Sequence, residues 1–247
     1  MGAPSAFLGV IMKTLIEAKN ITLSYPPPSH GLRGLFSRRR KMPKALDDIS
    51  FKVEAGAHLA LVGLNGSGKS TLLRTIAGIY QPDDGEIEAY GEIASLFNLG
   101  IGMQIEVSGR KNIILQGMIK GKSRREMIDL TPSIIEFSEL GNVIDDPIIT
   151  YSQGMAMRLS FAIATALEPD ILLLDEWIGA GDRVFRAKSE KRLEAMIKDS
   201  RGFVLASHNT TIVRRYCSQA MWLEKGKIMA NGPTDEVLDA FEAATLV

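Results

Sequence analysis

The sequence predicts an α/β fold: a core of short buried strands and helices, with an antiparallel β subdomain and an inserted helical subdomain. Three observations predict it. The runs His58-Leu59-Ala60-Leu61-Val62, Ile171-Leu172-Leu173-Leu174 and Phe203-Val204-Leu205-Ala206 are almost wholly apolar, as strands covered on both faces are. The first of them leads through a glycine-rich stretch into Thr71-Leu72-Leu73-Arg74-Thr75-Ile76-Ala77, which reads as a helix closed by Gly78. Between the first and second runs the character changes, and residues 98 to 165 read as mostly helical.

Taken in order, the chain begins with an apolar segment, Ala6-Phe7-Leu8-Gly9-Val10-Ile11, that no positive charge precedes. It does not read as a signal peptide, and Met12 is an alternative start. Leu15 to Leu23 reads as an edge-like strand that stops at Tyr25-Pro26-Pro27-Pro28, because proline has no N–H for a ladder. Residues 31 to 44 form a basic insertion with Arg33, Arg38, Arg39, Arg40, Lys41 and Lys44 around Leu32, Leu35 and Phe36. Two readings of it stand: a solvated surface loop, or an amphipathic element at an anionic membrane surface, where each basic residue adds ~1 kcal/mol. Ile49 to Val53 alternates apolar and polar as a half-buried strand does.

Asp83-Asp84-Gly85 marks a turn, and Glu86 to Ala89 and Ile93 to Leu96 are strand-like on either side of Gly91. Asn112 to Ile119 and Ile134 to Leu140 are helical pieces, the second closed by Gly141. Ala220 to Leu223 and Lys227 to Ala230 form a hairpin around Lys225-Gly226. Thr234 caps a last helix whose first turn carries Asp235 and Glu236, where negative charge is favourable. The expected organisation is one domain over 1–247, with 13–97 and 166–232 as core and β subdomain, 98–165 as helical subdomain and 233–247 as C-terminal helix.

Composition narrows the classes. Lys+Arg 29 balances Asp+Glu 29, so overall charge gives no pointer to nucleic acid. A single cysteine, Cys217, rules out an internal disulfide framework and fits a reducing compartment. No apolar run approaches the roughly 18–20 residues that span a bilayer, so the chain reads as a soluble cytoplasmic protein.

The chemistry starts at Gly63-Leu64-Asn65-Gly66-Ser67-Gly68-Lys69-Ser70-Thr71, which fits G-x-x-x-x-G-K-[ST] between a strand and a helix. Backbone N–H groups must curl around phosphate oxygens here, and the helix start adds positive potential. Lys69 is the candidate for the β- and γ-phosphates, and the Ser70 hydroxyl for Mg²⁺. Ile171 to Leu174 ends in Asp175-Glu176: Asp175 is placed to hold Mg²⁺ and Glu176 to polarise a water for attack on the γ-phosphate. Ser207-His208 follows another buried strand, and ligands of open α/β sheets gather at such strand ends. His208 is therefore a candidate γ-phosphate contact. The chain binds a nucleoside triphosphate on this reading.

The order phosphate loop, Tyr151-Ser152-Gln153-Gly154-Met155, Leu174-Asp175-Glu176, Ser207-His208 resembles an ABC-transporter ATPase from about Leu15 to Gly232. That resemblance implies a P-loop NTPase with a RecA-like core. Tyr151 to Met155 fills the place of the family's L-S-G-G-Q signature; Ser152 and Gly154 match, while Tyr151, Gln153 and Met155 depart. Asp182 matches the family's D-loop.

The resemblance implies two copies binding ATP head to tail, with Gly63, Asn65, Gly66, Ser67, Gly68, Lys69, Ser70 and Thr71 of one facing Ser152 and Gly154 of the other. It also implies an aromatic ring on the adenine; Tyr25 is the match and Phe36 the rival. The family's coupling glutamine has no counterpart, since Asn98 or Leu99 falls there and Gln104 lies too far along.

Asn98 to Met103, Ser108 to Asn112 and Trp177 to Asp182 are similar to segments of polysaccharide and O-antigen exporter ATPases. The resemblance implies a peripheral subunit at the cytoplasmic face of a bacterial inner membrane. It would work with two copies of a multi-span permease that moves a lipid-linked glycan, with ATP and Mg²⁺ as cofactors. A drug, ion or nutrient transporter ATPase, and a soluble ABC ATPase without a permease, are the alternatives. No nucleic-acid partner is expected.

Overall fold

The structure, a computed structural model, describes residues 14–25, 43–97, 99–176 and 183–245. It divides into two compact units, one running to Gly91 and resuming at Arg201, the other spanning Glu92–Ser200.

The first unit opens with β1 (Thr14–Ser24) and β2 (Lys44–Glu54), followed by β3 (His58–Val62), α1 (Lys69–Ile76) and β4 (Asp84–Ala89). β1 pairs antiparallel with both β2 and β4, in the order β2-β1-β4. It is thus the middle strand of its sheet, not the edge strand its sequence suggests. Asn20 and Asp48 both take left-handed φ, at 51° and 58°, and the register shifts between Ala18 and Ile21. This irregularity breaks the alternation of side chains that marks a paired strand. Asn20 Nδ2 donates to Asp48 Oδ1 at 2.8 Å, and Asn20 N–H to Ser50 Oγ at 2.8 Å, which satisfies groups the bulge takes from the ladder.

The second unit begins with β5 (Ile93–Ser95), so Gly91 separates strands of different sheets rather than the arms of one hairpin. Next come α2 (Gly109–Ile119), α3 (Arg124–Ser138) and α4 (Gln153–Ala166), with short 3₁₀ turns at Gly141–Asp145 and Ile148–Thr150. β6 (Ile171–Asp175), parallel to β5, and α5 (Arg183–Asp199) complete it. The unit therefore carries β6 and α5 together with the helical stretch.

A capping box starts α3: Ser123 Oγ accepts from Glu126 N–H, and the Glu126 carboxylate accepts from Ser123 N–H. Its left-handed terminator is Glu139, φ 58°, and not Gly141, which opens the following 3₁₀ turn. A non-glycine in this region is strained. Glu139 also has a second task, since its carboxylate lies 2.8 Å from Lys188 Nζ on α5 and 3.4 Å from Arg158 Nη1 on α4.

Ile113, Met127, Ile134, Leu159 and Ile163 form the core between these helices. Beside it Phe161, fully buried, packs on Phe137 and Phe185 with ring centroids 6.1 Å away in each case. Phe161→Ala is expected to cost about 3–5 kcal/mol. Urea unfolding followed by tryptophan-independent circular dichroism measures it, and a loss under 1 kcal/mol would mean that the aromatic cluster collapses without penalty.

The chain re-enters the first unit with β7 (Gly202–Ala206), α6 (Thr210–Tyr216), β8 (Gln219–Glu224), β9 (Lys227–Pro233) and α7 (Thr234–Thr245). β7 and β8 flank β3 in parallel, and β9 closes against β8 antiparallel. Thr234 lies in the first turn of α7, where its hydroxyl donates to the Cys217 carbonyl at 2.8 Å. It fastens the helix to the α6–β8 connection, in place of the helix cap its sequence position suggests. Arg214 reinforces the attachment, pairing with Asp235 and, at 2.8 Å, Asp239. Cys217 is buried, and burial pushes its thiol up to about 12, which removes it from thiolate chemistry. Among the described residues no helix is long and apolar enough to cross a membrane.

Candidate functional site

In the first unit, β3 delivers the chain to Gly63 at the carboxyl end of a strand flanked on both sides by parallel neighbours. Gly63 has φ 146°, and a Cβ there would fall 2.2 Å from the Leu223 carbonyl oxygen. No side chain fits. The turn that follows closes with Ser67 N–H donating to the Leu64 carbonyl at 3.1 Å. Gly68 then occupies the N-cap of α1 with no side-chain cap bond, and no acidic residue stands in the first turn. The orphan N–H groups of a helix start and their partial positive charge are thereby left for an anion.

Lys69 is 8% exposed, and its ammonium folds back over the loop, donating to the Gly63 carbonyl at 2.7 Å and the Leu64 carbonyl at 3.1 Å. A buried ammonium beside the loop's carbonyls is suited to a phosphate. Ser67 Oγ is buried without a hydrogen-bond partner among the described residues. Ser70 is half-buried in the first turn of α1, and Asn65 and Gly66 are exposed at the crest of the loop.

Tyr25 reaches the same place from the end of β1. Its hydroxyl shares a 2.9 Å hydrogen bond with Thr71 Oγ1, and its ring, 44% exposed, meets Tyr80 edge-on at 5.8 Å. Tyr80, two residues past Gly78, did not stand out in the sequence. Only its position after a helix that starts at the loop could have signalled it. Phe36, the other candidate, lies outside the described residues, with the rest of the basic insertion up to Met42. His208 is exposed just beyond β7. Ser207 before it is buried, and its hydroxyl accepts from Asn209 N–H at 3.2 Å; Asn209 in turn caps α6 through Oδ1. The backbone around His208 is therefore fixed on both sides.

In the second unit, Asp175 ends β6 and Glu176 follows it, both half-buried. Glu176 has φ 67°, one of few non-glycine residues in the left-handed region. Such strain is held only where the surroundings enforce it, and it clusters at functional positions. Asp175 offers a carboxylate here, and Ser70 in the first unit a hydroxyl; each is a hard oxygen donor of the kind Mg²⁺ takes. Among the described residues no group of three or more His, Cys, Asp or Glu could hold a metal alone.

Ser152 is the N-cap of α4, its hydroxyl accepting from Met155 N–H at 3.2 Å. Gly154 sits in the open: an added Cβ would meet only Ser152 Oγ, at 3.9 Å. Tyr151, which departs from the signature pattern, has a packing role. Its hydroxyl donates to the Val143 carbonyl at 2.7 Å and lies over Gly109, where a Cβ would come within 2.4 Å. Burial raises the Tyr151 phenol above its ordinary range.

Asn112, fully buried, holds the loop before α2: its amide donates to the Gln104, Val107 and Ser108 carbonyls and accepts from Gln104 N–H. Gln104 is thus engaged through its backbone. Asn98, Asp182 and the Trp177–Gly181 stretch lie outside the described residues, as does the N-terminal segment through Lys13.

The profile of the ABC transporter family matches residues 46–179. The O-antigen export system ATP-binding protein of Yersinia enterocolitica is 43% identical over 230 residues, 87% of this chain and 96% of that one. A Klebsiella pneumoniae protein of the same description is 36% identical over 94% of this chain and 99% of its own length. The teichoic acids export ATP-binding protein of Bacillus cereus is 34% identical over 94% of this chain, which spans 43% of it. Among solved structures, an ATP-binding subunit of an ABC transporter superposes with a TM-score of 0.72 at 24% identity, over 92% of this chain and 93% of that one. With its glycine-lined loop, uncapped helix start and signature serine in place, the chain belongs to the ABC transporter family.

Proposed function

We propose that this protein is the ATP-hydrolysing subunit that powers export of a lipid-linked cell-surface polysaccharide of the O-antigen class through a partner permease. The observation that carries the reading is 43% identity running over 96% of an O-antigen export ATP-binding protein. Relatives named for teichoic acids export, at 34% identity, extend the same theme of surface polymers.

The residues divide the chemistry among themselves. The N–H groups of Gly66, Gly68 and Lys69 and the Lys69 ammonium bind the β- and γ-phosphates, and Tyr25 covers the adenine. Glu176 takes the proton of the attacking water as its oxygen bonds to the γ-phosphorus and the bond to the β–γ bridging oxygen breaks, releasing ADP and phosphate. His208 contacts the γ-phosphate. Ser152 and Gly154 of a second copy present the start of α4 to the same phosphate, so ATP joins two copies and ADP releases them. Mg²⁺, for which Ser70 and Asp175 are suited, supplies neutralisation of phosphate charge when bound.

The permease is proposed to meet the second unit beside a cavity of about 200 Å³ lined by Leu99, Ile101, Met103, Gln116 and Ile119. Ile101 and Ile119 are 69% and 70% exposed, Met118 nearby is 48% exposed, and the buried Gln116 Nε2 has no partner among the described residues. Exposed aliphatic clusters of this sort mark interaction sites.

Affinity purification from detergent-solubilised membranes tests the whole reading. A multi-span permease encoded beside glycan-assembly enzymes is expected in the eluate; ribosomes, DNA or no membrane partner would remove transport from the account. Ile119→Asp is expected to lower the co-purified permease about tenfold or more while leaving ATP hydrolysis by the isolated subunit unchanged. Undiminished recovery would move the docking face elsewhere.

A further inference from the structure

We infer that the Lys225-Gly226 turn of the β8–β9 hairpin is a positioning element for ATP, acting through one peptide plane of the phosphate loop. Gly226 N–H donates to the Ser67 carbonyl at 2.9 Å, and the Gly226 carbonyl accepts from Asp47 N–H on β2 at 2.8 Å. The tip of the hairpin thus ties the phosphate loop to the start of β2. Lys225 and Gly226 both have positive φ, 48° and 79°, the pairing that makes a tight two-residue hairpin turn. A Cβ on Gly226 would meet the Ala45 carbonyl oxygen at 2.7 Å and the Leu46 Cα at 3.2 Å; a Cβ on Gly68 would meet the same Ala45 oxygen at 2.8 Å. Three backbones pass here with no room for side chains. Lys227 adds an ion pair to Asp47 at 3.3 Å.

The consequence lies in the geometry of a trans peptide. In the planar Ser67–Gly68 unit the carbonyl and the N–H point in opposite directions. Holding the Ser67 carbonyl outward on Gly226 therefore turns the Gly68 N–H inward, toward the concave side of the loop where phosphate is proposed to bind. The donor would otherwise have to be oriented at the moment of binding. Because this N–H meets a phosphate that is bound before and during reaction alike, losing its orientation weakens ground state and transition state together. Such a loss raises KM and leaves kcat in place.

The inference rests on the assignment of residues 63–71 to ATP, and the test separates the two. Ligation at the native Cys217 allows the Lys225–Gly226 amide to be replaced by an ester in the full-length chain. The exchange removes the one N–H donor and keeps the Gly226 carbonyl. KM for ATP is expected to rise about fivefold, with kcat within about twofold of wild type. Gly226→Ala is expected to raise KM about tenfold or more through the added contact with Ala45. Gly232→Ala, in the same hairpin at a position with open space around it, is expected to change neither constant. An ester variant that folds, with a lowered unfolding midpoint but wild-type KM, would overturn the proposal by showing a purely structural bond. A fall in kcat at constant KM would overturn it as well. If Gly226→Ala does not fold, the ester alone decides. Wild-type ATP affinity in Lys69→Ala would instead bring down the loop assignment.

Discussion

Glu176→Gln is expected to bind ATP about as tightly as wild type, to accumulate as an ATP-bound dimer, and to hydrolyse ATP ~10²–10³-fold more slowly. The exchange keeps the shape of the side chain and replaces one carboxylate oxygen by an amide NH2, which donates and cannot take the proton of the attacking water as proposed for Glu176. The binding groups lie elsewhere in the chain, on the 63–71 loop, so affinity is spared. Single-turnover hydrolysis and size-exclusion chromatography with ATP read the two halves separately. Wild-type turnover would exclude Glu176 as the base. Loss of ATP binding together with turnover would mean that the carboxylate holds the site together rather than reacting in it.

The backbone adds a second expectation at the same position. Glu176 stands at φ 67° directly after β6, whose residues Ile171 to Leu174 are fully buried. Glycine is the residue at ease in that conformation. Glu176→Gly should therefore relieve strain and stabilise the free protein while abolishing hydrolysis. A glutamate at left-handed φ where glycine would suit the backbone is in keeping with the proposed role of Glu176 in hydrolysis.

Much of this was legible in the sequence because it depended on local rules. The glycine-rich loop between an apolar strand and a helix, the strand Ile171–Asp175 and the hairpin around Lys225-Gly226 all stand where their patterns put them. The family, too, was readable, since its motifs occur in order along the chain. What escaped reading depended on partners distant in sequence. β1 read as an edge-like strand ending at the proline run, and only pairing with β4, more than sixty residues on, makes it central. Thr234 looked like a helix cap, but the Cys217 carbonyl takes its hydroxyl. Glu139 ends α3 in place of Gly141 because two cations on α4 and α5 gather its carboxylate, a compensation that no local propensity contains. Tyr151 departs from the signature pattern for a reason visible only in three dimensions, the space over Gly109.

Lys69→Ala is expected to weaken ATP binding about 10–100-fold and to reduce hydrolysis about 10³-fold. Both effects follow from where the ammonium rests. It is buried against the Gly63 and Leu64 carbonyls, so it is already desolvated and held over the loop before ATP arrives. The same two bonds cross-link the loop to the first turn of α1, so alanine also loosens the curve that aims the backbone N–H groups. Lys69→Arg separates charge from shape. Arginine keeps the positive charge, but its planar fork cannot fold onto two carbonyls of so tight a loop as a compact ammonium does. Hydrolysis should stay roughly tenfold or more below wild type despite the retained charge. Full activity in Lys69→Arg would reduce the role of this residue to its charge alone. The hydrogen bonds to Gly63 and Leu64 would then be a resting place for the side chain and no part of the machinery that shapes the loop.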